Sequence, residues 1–217
     1  MIDTTLKIIE EFNLGFMIRW ILENNTAQSL PYHNFSHSLW VANYAQMIYT
    51  HETNKKAPKE LIIAALFHDF DHSGGFFKDD LENIFRAVRG YIIWADSHRE
   101  FDETFDNKVI NLIRQTQYPH LAPATSFEAA CLRDADLLQN CNDTLFANFT
   151  GIKQEMFREI PYPQYMDNTL KFLRSIEYKT TWGKLFGKEL LDTAINQLEQ
   201  FKQLVFRIPD GAVKTTT

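Results

Sequence analysis

Leu61-Ile62-Ile63-Ala64-Ala65-Leu66-Phe67-His68-Asp69-Phe70-Asp71-His72 is the stretch on which the reading of this chain turns. Its first seven residues are all apolar, and a helix with no polar side must be buried on every side. Pro58, just upstream, suits the first turn of such a helix, where its missing N–H is not needed. The helix is predicted to end at His68-Asp69. An adjacent imidazole and carboxylate at a buried helix end are costly unless each is paired. A divalent cation would remove that cost by accepting both. Asp71 and His72 follow within one turn, and Gly74-Gly75 then permits a tight loop.

Outward from this run the apolar spacing stays helical, at intervals of three and four. Residues 3–27 read as one or two helices carrying Leu6, Ile9, Phe12, Phe16 and Ile18, and residues 34–50 as another. Asp79-Asp80-Leu81-Glu82 opens a helix that runs to about Ala95, with its carboxylates at the favourable end of the helix dipole. Further helices are expected over 101–117, 126–139, 143–160, 164–177 and 181–206, with Pro161-Tyr162-Pro163 as a break. No stretch alternates long enough to make a strand. The expectation is an all-α, compact single-domain bundle over residues 1–212, with a metal-site core at about 30–140, C-terminal helices at 143–206 and a frayed tail at 213–217.

Composition narrows the function. Hydrophobic residues make up 45% of the chain and include 18 Phe, which supplies a large aromatic core. A net charge of −6 gives no electrostatic reason to bind a nucleic-acid polymer, though a bound cation could still attract a single nucleotide. Cys131 and Cys141 are too few for a disulfide framework or a thiolate zinc site. No apolar run approaches a membrane span, and the N-terminus lacks the marks of a signal peptide. A cytoplasmic protein with no membrane partner is the expectation.

A second run, Tyr32-His33-Asn34-Phe35-Ser36-His37, places two imidazoles four residues apart. If the segment is helical, both lie on one face. With His68 and Asp69 they call for one more carboxylate, and Arg133-Asp134-Ala135-Asp136 offers two. Asp134 and Asp136 cannot share a helix face, so at most one joins the set while the other pairs with Arg133 or solvent.

His37, the His68-Asp69 pair and a distant Asp in an Ala-Asp context resemble the signature of the HD-domain metal-dependent phosphohydrolase superfamily. More narrowly, Tyr32-His33-Asn34 with His37, and Phe67 through Gly74, are similar to the metal-binding motifs of class I cyclic nucleotide phosphodiesterases. The resemblance implies a helical fold and His37, His68, Asp69 and Asp136 as ligands of a divalent metal (Mn, Zn, Fe, Mg, Co or Ni, as one or two ions). It favours Asp136 over Asp134. It makes His33 the catalytic residue that protonates the leaving oxygen, places His72 beside the attacking water, and makes Glu82 an acceptor behind the site. The implied partner is a small phosphate ester, a nucleotide or a related molecule.

The chain also departs from the phosphodiesterases. Ile84-Phe85 stand where those enzymes carry two histidines, and no counterpart of their purine-reading glutamine is recognisable. Lys78, Arg86 and Arg89 are candidates for clamping phosphate oxygens. Two other readings use the same scaffold. A diiron oxygenase would need His98 and His120 to reach the metal site, and a nucleotide-sensing module without catalysis would lack a ligand.

Overall fold

The computed structural model describes residues 2–77, 79–98, 101–141 and 144–206. Lys78, Asp143 and the tail at 213–217 lie outside them. The described residues form ten α-helices and no strand: α1 (Ile2–Glu11), α2 (Gly15–Asn24), α3 (Phe35–Thr53), α4 (Lys59–Phe67), α5 (Asp80–His98), α6 (Glu103–Arg114), α7 (Phe127–Leu138), α8 (Leu145–Met156), α9 (Tyr162–Arg174) and α10 (Lys188–Phe206). The all-α expectation holds. None of these helices is long and apolar enough to cross a membrane.

Helix α4 is the axis of the molecule. It packs against α3, α5, α6 and α7, and every residue from Leu61 to Phe67 is buried. That enclosure is why the segment needs no polar face. One continuous apolar cluster extends from Ile8 to Leu198, so the C-terminal helices share the core that surrounds α4.

Several boundaries differ from expectation for local reasons. Pro58 is the N-cap of α4, one position before the helix proper, with extended backbone. Helix α5 continues to His98 because Trp94 and His98 pack on its inner side. Pro161-Tyr162-Pro163 starts α9: Pro161 caps the helix and Pro163 sits in its first turn, where a missing N–H costs nothing. Helix α3 begins only at Phe35, because extended Asn34 caps it by accepting the Ser36 N–H. His33 therefore precedes the helix, and it does not share a helix face with His37.

The turn after α4 is built from left-handed backbone at Asp71 (φ 58°), Gly74 (64°) and Gly75 (80°), a conformation that glycine adopts without strain. Asp71 holds it by accepting the Thr26 N–H and hydroxyl, both at 2.8 Å. Phe70 anchors the start of the turn by stacking on Trp20 and seating on Gly90 of α5. A Cβ at Gly90 would lie 2.3 Å from the Phe70 ring. Gly90→Ala would ordinarily gain about 1 kcal/mol of helix propensity. Here the overlap should reverse the sign and cost about 1–3 kcal/mol, as overpacking does. Thermal denaturation checks this: an unchanged or higher melting temperature would show that Phe70 is not held tightly.

Candidate metal centre

His68 sits at the C-terminal end of α4, where its Nδ1 donates to the Ala65 carbonyl at 2.8 Å. A carbonyl can only accept, so the neutral ring keeps its lone pair on Nε2 and aims it away from the helix. His37, in the first turns of α3, brings its own Nε2 to 3.3 Å from that atom. Asp69 Oδ2 lies 3.1 Å from His37 Nε2 and 3.2 Å from His68 Nε2. Asp136 Oδ1, from α7, lies 3.2 and 3.7 Å from the same two nitrogens.

Four acceptor-type groups thus surround one point. Burial opposes charge on both imidazoles, yet the two carboxylates outweigh it and raise the pKa of His37, and that of His68 strongly. The converse holds for Asp69 and Asp136: burial pushes them up, but the imidazoles hold both carboxyls below their ordinary range. Protons are a poor filling, since protonating both rings would set two N–H groups of like charge against each other, with His37 Nε2 and His68 Nε2 only 3.3 Å apart. One divalent cation would satisfy all four groups. Donors about 2.1 Å from a shared cation stand roughly 3.0–3.4 Å apart in octahedral or tetrahedral geometry, close to the spacings here. The donor set fits a metal, and two imidazoles with two carboxylates suit Mn, Fe, Co, Ni or Zn.

The structure brings Asp136, not Asp134, to this point. Asp134 is fully buried on another side of α7, where it accepts the N–H groups of Lys179 and Thr180 and the Thr180 hydroxyl. It pairs with neither Arg133 nor solvent. Arg133 instead binds the carbonyls of Gln115 and Ala122 and the Gln115 side chain. The residues flanking Asp136 on α7 thereby tie that helix to two neighbouring segments.

Beside this cluster lies a second one, His33, His72 and Glu155. Glu155 projects from α8 and is 5% exposed. Its Oε2 accepts the backbone N–H groups of Tyr32 (3.0 Å) and His33 (3.1 Å), and its Oε1 accepts from His33 Nδ1. The His33 and His72 rings stack with centroids 3.6 Å apart. His72 Nδ1 accepts the Gly74 N–H at 3.2 Å, so its neutral form carries the proton on Nε2. Burial would raise Glu155, but hydrogen bonds from the His33 ring and backbone hold it far below its usual range. Burial, with His72 alongside, lowers His33, and Asp69 and Glu155 pull the other way without prevailing. The donor atoms of this group are largely engaged with one another and with the backbone, and they also lie close enough together to hold an ion.

The remaining candidates are elsewhere. His98 donates to the Trp94 carbonyl and packs between Phe16 and Trp94. His120 packs on Tyr118, and burial, then Arg133, lowers its pKa to about 4. Neither belongs to a convergent group of ligand atoms among the described residues, so the oxygenase arrangement lacks its added histidines. Glu82 is exposed; Asn83 beside it is the buried one and accepts the Ser73 N–H. Arg86 lies over the Phe77 ring and Arg89 is exposed, so neither clamps this site.

Both clusters open into one cavity of about 440 Å³, whose far wall is formed by α8 and α9. A family model described as the HD domain matches residues 34–141, a span that starts at the cap of α3 and contains His37, His68, Asp69 and Asp136. The chain belongs to the HD-domain superfamily. No curated protein gives a match to it. HD domains bind divalent metals and are mostly metal-dependent hydrolases, and the His68-Asp69 pair of this HD domain stands where the four donors meet. Glu155 lies beyond the matched span, so α8 adds its carboxylate to the HD core from outside.

Proposed function

We propose that this protein is a metal-dependent phosphohydrolase that cleaves a phosphate ester of a nucleotide or related small molecule. The observation that carries this reading is the placement of a two-imidazole, two-carboxylate cluster and a carboxylate-held histidine side by side at the floor of one cavity. His37, His68, Asp69 and Asp136 would hold the ion. A bound divalent cation supplies Lewis acidity there, bringing the pKa of water towards neutrality and drawing charge from a phosphoryl oxygen.

The protein's own groups account for the rest. Ala65 fixes the His68 ring through Nδ1, so Nε2 is presented for coordination without a search over tautomers. Glu155 fixes His33 in the same way, accepting at Nδ1 and leaving Nε2 to the cavity. In hydrolysis a P–O bond forms from water and the P–O bond to the ester oxygen breaks, with its electron pair going to that oxygen. His33, in its imidazolium form, donates the Nε2 proton to the departing oxygen. The proton shed by the attacking water restores His33 through solvent. His72, stacked on His33, is the second proton-handling group and keeps water and His33 in register.

The test is a metal-reconstituted preparation assayed against phosphomonoesters, phosphodiesters and nucleotides, with elemental analysis of the same sample. Turnover of at least one ester, in proportion to bound metal and abolished by chelation, is expected. Stoichiometric metal without hydrolysis of any ester would replace this reading with that of a ligand-sensing module.

A further inference from the structure

The cavity's chemistry changes sharply with distance from the metal cluster. Its wall is built mainly from Leu145, Phe149, Ile152 and Met156 on α8 and from Tyr165 and Phe172 on α9, an apolar surface interrupted by the uncharged side chains of Asn168 and Thr169. Outside the two clusters, the one ionisable acid or base among its described lining residues, tyrosines aside, is Asp80, and no lysine or arginine is among those described residues. Asp80 is fixed at the head of α5, accepting the Tyr118 N–H at 2.7 Å and the Asn83 amide at 3.3 Å. Tyr118 in turn packs edge-on against Phe172, and both rings line the cavity.

From this contrast we infer that the site selects esters with a single phosphate and an uncharged, ring-bearing body, and rejects substrates whose body carries a second negative charge. This rests on the reading of a phosphate held at the metal cluster. A phosphate seated there leaves its alcohol portion against α8 and α9. A flat apolar body replaces water on those rings and is held in proportion to the apolar surface it covers. A second phosphate or sulfonate in the same place would lose its hydration against apolar rings, meet no cation among the described lining residues and face Asp80, each of which opposes binding. Nucleoside polyphosphates and bisphosphates are therefore disfavoured wherever a second charged group must lie against this wall.

The experiment uses the full chain loaded with manganese and three phosphonates, whose P–C bond cannot be hydrolysed. These are methylphosphonate, 2-naphthylphosphonate and 6-sulfo-2-naphthylphosphonate, compared by isothermal titration. The naphthyl compound should bind at least about tenfold more tightly than the methyl one, a difference of 1.4 kcal/mol. The sulfonated compound should lose that gain entirely. Equal affinity for the naphthyl and sulfonaphthyl compounds, or no gain of naphthyl over methyl, would overturn the inference. Catalysis does not enter the readout. Failure to hydrolyse any ester would sink the proposed function alone, and loss of the binding preference would sink this inference alone.

Discussion

Asp69→Ala should yield a folded protein without bound metal whose turnover is lower by at least about a thousandfold, because water without the cation has a pKa near 15.7 in place of about 7. Asp69 Oδ2 is the oxygen that stands within 3.2 Å of both imidazole nitrogens, so its loss removes the contact common to the two. Asp136 cannot take over. It is more exposed, and its Oδ1 lies 3.7 Å from His68. The loss is also one of charge. Two carboxylates raise the pKa of His68, and with one gone the pocket has less to offer a dication. Fold and function separate in this variant, because Asp69 follows α4 and belongs to neither the helix nor the apolar cluster. The checks are elemental analysis, turnover and melting temperature on one preparation. Full metal content with unimpaired turnover would end the assignment of this cluster as a metal centre.

How much of this was legible depends on how local each cause is. The buried helix α4 and its His68-Asp69 terminus were readable because seven apolar residues followed by two ionisable ones state the problem and its remedy within nine positions. Asp136 was readable only as one of two. The choice is made by which side of α7 faces α3 and α4, and by Thr180, which takes Asp134 from 46 residues away. His33 was singled out for the wrong geometric reason: the Asn34 cap keeps it off α3, and its place is set by Glu155, 122 residues distant. Glu155 itself was missed. It left one faint signal, a carboxylate three residues beyond Ile152 on the apolar side of α8. Nothing local says that such a residue is buried against a histidine. Glu82 shows the opposite error, where a plausible motif position proves to be an exposed helix surface.

Because Glu155 was invisible in the sequence, its substitution is the sharpest test of how the two clusters divide their work. Glu155→Gln should leave metal content unchanged, since Glu155 bonds none of His37, His68, Asp69 or Asp136. It should lower turnover by about a hundred- to ten-thousandfold, the usual range for loss of a general acid. Two causes act together. The glutamine oxygen can still accept the N–H groups of Tyr32 and His33, which turns its NH₂ towards His33 Nδ1. That amide donates where the carboxylate accepted, and the neutral ring takes the opposite tautomer, a change that costs about ten-thousandfold when the carboxylate of a serine-protease triad becomes an amide. The second cause is electrostatic. Burial and His72 lower the pKa of His33, and Glu155 opposes them. The acid form of His33 is present below its pKa and lost as pH rises through it. Removing the carboxylate lowers that pKa further, so the alkaline limb of the turnover profile must move to lower pH. His33→Ala should lose rate to a similar extent, keep its metal, and show no such limb. A Glu155→Gln profile displaced to higher pH, or one coincident with wild type at undiminished rate, would show that Glu155 serves only to seat Tyr32 and His33, and proton donation would have to be reassigned to His72.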